Sequence, residues 1–375
     1  MVRAATAAMV FAVTLGILNS AQCGDAWRFR VIGTSTCPSC TGLARGPNDQ
    51  LLGASSYDPN QMGSVFRVNP RRDRVKSVYD FSDMNGPQIP NSALLRDEVG
   101  NLIGTAQKNG AQYGTTVFRI SPAGGATVLY FFNNGQKQLS SQQALVSDTA
   151  GNLYGTIAEG GVYNLGFVYK LAPDGTLTVL HDFAGGTDGA KPYSGVIIDK
   201  RGNLYGTTPE GGDSDFGTIF KISPNGKETI LYRFDLINGA LPWGSLLRDK
   251  DGTLYGTTNL GGHTGVIYKL GRDGTYTVLH ALDAFYDEGE YPFAGVVADN
   301  AGNLYGTAAY GGEWGCGTVF ELLRTGDFKV LHAFDCSDAD GAFPIAELAA
   351  DDSGNFWGTT PYGPIFELQR IAARP

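Results

Sequence analysis

The chain has 375 residues, 42% of them hydrophobic, and carries 37 acidic against 28 basic side chains for a formal charge of −9. That is enough apolar material for a sizeable core. The acidic balance, with Arg71-Arg72 as its sole basic cluster, argues against nucleic acid or an anionic membrane as a partner.

The N-terminus reads as a secretory signal peptide over residues 1–23. Arg3 precedes an almost wholly apolar run, Ala4–Leu18, and small and polar residues follow to Gly24. The run is too short and wrongly flanked for a membrane span. Cleavage after Ala21 and cleavage after Cys23 both fit the pattern. Removing 1–23 takes away only Arg3 among the charges, leaving −10. The remaining chain, 24–375, is expected to be one exported domain, extracellular or periplasmic, monomeric and not inserted in a membrane.

An isolated strand signal, Trp27–Ile32, comes next, and then Cys37-Pro-Ser-Cys40, which reads as a local disulfide or loop clip. A thioredoxin-like role would need a βαβ setting that this sequence lacks. Zinc would need a second Cys/His pair at matching spacing.

From there the chain is periodic. The phrase Gly-Asn-Leu-Tyr-Gly-Thr occupies 151–156, 202–207 and 302–307, with variants at 252–257 and 354–359 and two worn copies at 100–105 and 49–54. Its fifth residue is Gly53, Gly104, Gly155, Gly206, Gly256, Gly306 and Gly358, spaced by 51, 51, 51, 50, 50 and 52 residues. A period near ~50 marks a solenoid, propeller or array whose units must stack to bury their faces. Each unit holds four strand signals, in the fourth copy 194–199, 203–208, 217–222 and 228–234. Asp closes the first of them in six copies (Asp97, Asp148, Asp199, Asp249, Asp299 and Asp351), which is turn chemistry rather than catalysis. The glycine after Tyr205 and its equivalents is expected to admit the backbone or an aromatic ring of the adjacent blade.

Strands apolar on both faces, such as 218–222, fit sheets sandwiched between sheets. The seventh unit stops after three strands, so the orphan strand at 27–32 should complete it and tie the chain ends together. The fold predicted is all-β: a seven-bladed β-propeller of four-stranded antiparallel blades closed by its N-terminal strand. Cys316 and Cys336 flank the hairpin of the sixth unit nearly opposite each other, and a disulfide is expected between them.

These strings resemble the GloVer tandem-repeat proteins, bacterial exported proteins of the choice-of-anchor kind. The resemblance rests on Gly-Asn-Leu-Tyr-Gly-Thr-Thr with Gly211-Gly212, Gly217-Thr-Ile-Phe-Lys, Thr178-Val-Leu-His-Asp-Phe and Asp188-Gly-Ala-Lys-Pro. The first two repeats depart from it, with Leu51-Leu52 and Leu102-Ile103 in place of Leu-Tyr. It implies the propeller and export, and transfers no catalytic residues. No anchoring signal follows Gln369, so release from the cell is expected.

Loops joining the second strand to the third, and the fourth to the next unit, are long and varied and share one face, where function is sought. Aromatic and acidic residues gather there: Trp243, Phe285, Tyr286, Glu288, Glu290, Tyr291, Phe293, Tyr310, Glu313, Trp314, Phe343 and Tyr362. Rings flanked by carboxylates suit sugars, and Trp243 and Trp314 are expected to be exposed. His181, His280 and His332 share an outer-strand repeat position and read as structural. His263 breaks the repeat on the long-loop face and is a candidate general base. Glu159 and Glu210 are candidate paired carboxylates. Asp335, Asp338 and Asp340 form a partial calcium-loop pattern without the downstream Glu, so calcium is the one cofactor considered. The function expected is non-catalytic binding of an extracellular glycan or protein. The alternative is a polysaccharide-degrading lyase or hydrolase with its site at the channel mouth.

Overall fold

The structure is a computed structural model in which residues 26–37, 41–46, 49–56, 62–82, 88–108, 114–133, 145–361 and 363–371 are described. The expected signal peptide, Cys40 of the expected Cys37–Cys40 bridge, and Tyr362 lie outside the described residues.

Each copy of the repeat folds into one four-stranded antiparallel sheet, and seven sheets stand in a ring as a seven-bladed β-propeller. Blade four is typical, running from the axis outward as Ile197–Ile198, Leu204–Thr208, Thr218–Ile222 and Glu228–Arg233. Blade two carries one further short strand, Gln88–Pro90. The innermost strands are shorter than the sequence suggests: only Ile197–Ile198 pairs, rather than 194–199. Side chains take over there. Fully buried Ser194 bonds the Thr207 hydroxyl at 2.8 Å, and its carbonyl accepts from Thr156 Oγ1 of the preceding blade.

Four positions of the repeated phrase have a direct structural role. Asp199 Oδ1 accepts the amides of Arg201 and Asn203, while Oδ2 accepts from Asn203 Nδ2 at 2.9 Å and from the Tyr205 hydroxyl at 3.1 Å. Asp148 and Asp299 repeat this network. Burial opposes the charge on Asp148, but the donors around it prevail and hold its carboxyl below the usual range.

The fifth-position glycine meets a different neighbour from the one expected. A Cβ on Gly206 would come within 2.5 Å of Phe220 Cζ, and one on Gly358 within 2.2 Å of Phe366 Cζ. Both rings belong to the directly paired third strand of the same blade, not to the next blade. The ring lies across its own sheet to cover the bare backbone and then packs on the neighbour, as Phe220 does against Phe183 at 5.2 Å.

Threonine at the sixth position joins blade to blade. Thr207 Oγ1 donates to Pro242 O, Thr257 Oγ1 to Ala294 O at 2.7 Å, and Thr359 Oγ1 to Thr41 O, which carries the series from blade seven back to blade one. The N-terminal strand Ala26–Cys37 completes blade seven as expected, pairing Phe29 with Leu368 and Val31 with Phe366. Arg30 secures it, bonding Glu367 at 2.7 Å and Asp73 of blade one at 2.8 Å.

Phe220 is fully buried, so Gly206→Ala forces the ring or the strand to move. We expect a loss of about 1–3 kcal/mol in urea denaturation. Gly125→Ala, whose Cβ meets nothing nearer than Ser121 Oγ at 3.5 Å, should be close to neutral. Equal midpoints for the two variants would contradict this role for the ring.

Candidate functional site on the long-loop face

Between blades five and six the long loops enclose a groove of about 470 Å³, whose lining includes Ala284, Asp287, Glu290, Tyr291, Tyr310 and Gly311. Three residues singled out from sequence (Glu290, Tyr291 and Tyr310) thus meet at one place. Glu290 and Tyr310 form an isolated β-bridge, and the Tyr291 and Tyr310 rings meet edge to face at 5.9 Å. Phe343 adds a third ring 5.1 Å from Tyr310.

Large rings stay in solvent around this groove: Phe285 is 92% exposed, Tyr286 76% and Trp314 58%. Glu313 is exposed beside Trp314. The Cys316–Cys336 disulfide, with Cα atoms 5.5 Å apart, anchors the Trp314 loop, and Cys316 O accepts the Phe343 amide at 2.8 Å. Phe285 and Tyr286 lie in a single turn of 3-10 helix, Ala284–Tyr286, in which Asp283 Oδ1 accepts the Phe285 amide.

Trp243 differs from the sequence expectation. It is half-buried, stacked on Tyr193 at 4.6 Å and edge-on to Phe293 at 6.2 Å. The three occupy equivalent positions after Pro192, Pro242 and Pro292 on successive blades, so ring packing along the ring of blades draws the indole in. Beside Tyr193, Lys191 Nζ bonds Glu210 Oε1 at 2.9 Å. Glu210 first, with Tyr193 and Glu159 adding, pushes the lysine above its ordinary value. Glu159 and Glu210 therefore share a counter-ion instead of standing as a bare carboxylate pair. His263 is elsewhere, 66% exposed, with Nδ1 3.0 Å from Asp283 Oδ2. The structure thus places His263 and Glu210 apart, each against its own partner, Asp283 and Lys191.

The calcium-loop candidates are occupied with protein groups. Asp335 Oδ1 accepts the Ser337 amide, and the Asp340 carboxylate accepts from His332 Nε2 and the Asp335 amide. Asp338 is exposed. His280 likewise bonds Glu288 at 2.8 Å.

Sequence reading missed Glu347. It sits where the chain enters the innermost strand of blade seven, and the aligned residues of the other repeats are Gly42, Ala93, Ala144, Gly195, Ser245 and Gly295. Among the described residues, five small ones and one carboxylate stand at this position around the axis. Glu347 bonds Ser245 two blades away, across Gly295, which has no side chain to obstruct it. Partial burial among protein groups removes some of its hydration and pushes its carboxyl up to about 7, with the Ser245 bond acting in the opposite direction. The signal was present in the alignment of repeats, as the one charged residue in a column of small ones. A larger hollow of about 700 Å³ opens on the short-turn face, where Asp249 and Asp299 already hold turns and Asp251 is exposed to solvent.

The family model of the Gloeobacter/Verrucomicrobia repeat matches residues 29–185, 90–285 and 229–369, and the chain belongs to that family. No curated protein matches it significantly in sequence. Among solved structures it is similar to the extracellular domain of a hybrid two-component system from B. thetaiotaomicron, with TM-score 0.60 and 13% identity over 92% of this chain and 42% of that one. It is also similar to the WD40 β-propeller domain of Doa1, with TM-score 0.60 and 12% identity over 92% and 98%. A third similarity is to an oligogalacturonate lyase from Vibrio parahaemolyticus, with TM-score 0.53 and 11% identity over 92% and 96%. At such identities the likeness concerns the fold alone. Among the described residues no helix is long and apolar enough to cross a membrane.

Glu347 keeps its proton to about 7 in the fold and to about 4.5 in the unfolded chain, so its contribution to stability falls as pH rises through that window. Relative to wild type, Glu347→Gln should gain stability from pH 5 to pH 8, by up to about 3 kcal/mol. Denaturant titrations at the two pH values measure this. A constant difference between the chains would rule out the elevated carboxyl.

Proposed function

We propose that this is an exported, non-catalytic binding protein that recognises carbohydrate in the groove between blades five and six. The observation carrying this reading is the set of solvent-exposed rings, Phe285, Tyr286, Tyr310 and Trp314, around a hollow edged by Asp287 and Glu290. Folding ordinarily withdraws such rings from water, and a contiguous exposed group of them marks a contact surface. Flat faces stack on the apolar faces of sugar rings, while carboxylates accept from hydroxyls. The Cys316–Cys336 bridge supports export, because disulfides persist in oxidising compartments. A protein ligand on the same face is the broader version of this reading.

A polysaccharide-cleaving enzyme is the second reading, and Glu347 favours it. A channel carboxyl titrating near 7 is poised to exchange protons at neutral pH.

A carbohydrate microarray probed with the purified protein tests the first reading. Selective binding is expected, weakened at least tenfold, or about 1.4 kcal/mol, by Trp314→Ala and by Tyr310→Ala. An array blank for folded protein would overturn it. Shortening of the bound glycans on incubation, abolished by Glu347→Gln, would establish the enzyme instead.

A further inference from the structure

The outer strands of neighbouring blades meet in a repeating pair. One partner is a ring near the end of an outer strand; the other is the first residue of the next blade's outer strand or, in the closing strand, its equivalent Phe29. Tyr232 stacks on Tyr276 at 3.9 Å, His280 on Phe328 at 4.2 Å, and His332 on Phe29 of the closing strand at 3.5 Å, each within 6° of parallel. Both of these histidines also bond a loop carboxylate through Nε2. His181 keeps the carboxylate, with Nε2 3.0 Å from Asp188 Oδ1, but its partner on blade four is Glu228 instead of an aromatic. The stack has become a second carboxylate, with Glu228 Oε1 3.5 Å from His181 Nε2.

We infer that His181, Asp188 and Glu228 form a binding site for one divalent transition-metal ion of the zinc class at the junction of blades three and four. Their ligand atoms all lie within 4.8 Å of one another, the one such group of three among the described residues. Zinc bonds of about 2.0–2.2 Å to imidazole and carboxylate put tetrahedral ligand atoms about 3.3–3.4 Å apart, and the 3.0 and 3.5 Å separations bracket that figure. Glu228 Oε1 is inaccessible to solvent and has no hydrogen-bond partner, which a cation would supply. Asp188 is already aimed, since its other oxygen accepts the Ala184 amide at 2.7 Å. The nearby cation Arg233 is engaged with Thr187 O and Asp213. Three protein ligands leave a fourth position for water or a ligand atom. An imidazole among the donors selects zinc-like ions over calcium and magnesium, which take oxygen ligands.

The experiment uses tag-free protein stripped with EDTA and titrated calorimetrically with zinc, calcium and magnesium chlorides. One equivalent of zinc should bind and raise the melting temperature, with calcium and magnesium silent. Glu228→Gln should weaken zinc binding at least tenfold. Glu228→Phe rebuilds the stack seen at the three following junctions, so it should abolish binding while the metal-free melting temperature stays level or rises. His263→Ala and His280→Phe, which lie outside the cluster, should leave binding intact. Absence of stoichiometric zinc binding by the folded wild-type chain would overturn the proposal. Zinc binding unaffected by Glu228→Gln and Glu228→Phe would overturn it equally.

Discussion

A glycine set against the face of its cross-strand aromatic partner lets seven sheets close around one axis. Phe66, Phe118, Tyr169, Phe220, Tyr268, Phe320 and Phe366 each cover the glycine opposite and are almost wholly buried. A side chain at the glycine would lift the ring, and the ring is what the next blade packs on. Close sheet-to-sheet contact brings the threonine one residue later within hydrogen-bond reach of the neighbour's carbonyls. Apolar packing and polar satisfaction of the chain near the axis thus depend on the same missing Cβ, which explains why the phrase recurs as a unit.

A ring built from equal parts makes departures from equality informative. Turn aspartates and linking threonines recur, so structure accounts for them. Glu347 stands in a column of small residues, and Glu228 in a column that is aromatic in the three following blades. Each inserts a carboxylate where its counterparts carry none, at a cost in burial that the fold does not require. Carboxylates placed against the fold's own interest are where chemistry or ion binding is to be sought.

The architecture was legible because its determinants are local and repeated: the period, the turn signals, and the count of strands at the two ends. The groove was legible in part. Glu290, Tyr291, Tyr310 and Trp314 were visible as non-repeating aromatic and acidic residues in loops expected on one face. Trp243 looked similar in sequence, but the stack on Tyr193 draws it in, and that contact depends on the angle between blades. The partnership of His181 with Glu228 was hidden for a related reason. It joins two strands that never pair, across an interface that strand patterning does not describe.

The long-loop face has a constraint of its own. Ile89, Lys191, Leu241, Tyr291 and Phe343 all adopt positive φ, between 52° and 56°, immediately before a proline. This conformation is unfavourable for L-residues by about 1–2 kcal/mol each, and proline disfavours it further. Each is held by its amide, which donates to a carbonyl of the preceding loop, as Tyr291 does to Thr264 O at 2.9 Å. The following proline seats against a positive-φ glycine of that loop, as Pro292 does against Gly265. Backbone contacts therefore hold the strain whatever the side chain, and the identity of this residue is free to vary from blade to blade. A framework that fixes direction while releasing identity suits a recognition surface. It is also why the fold was readable from the repeat while the function was not, since the repeat leaves these positions unspecified.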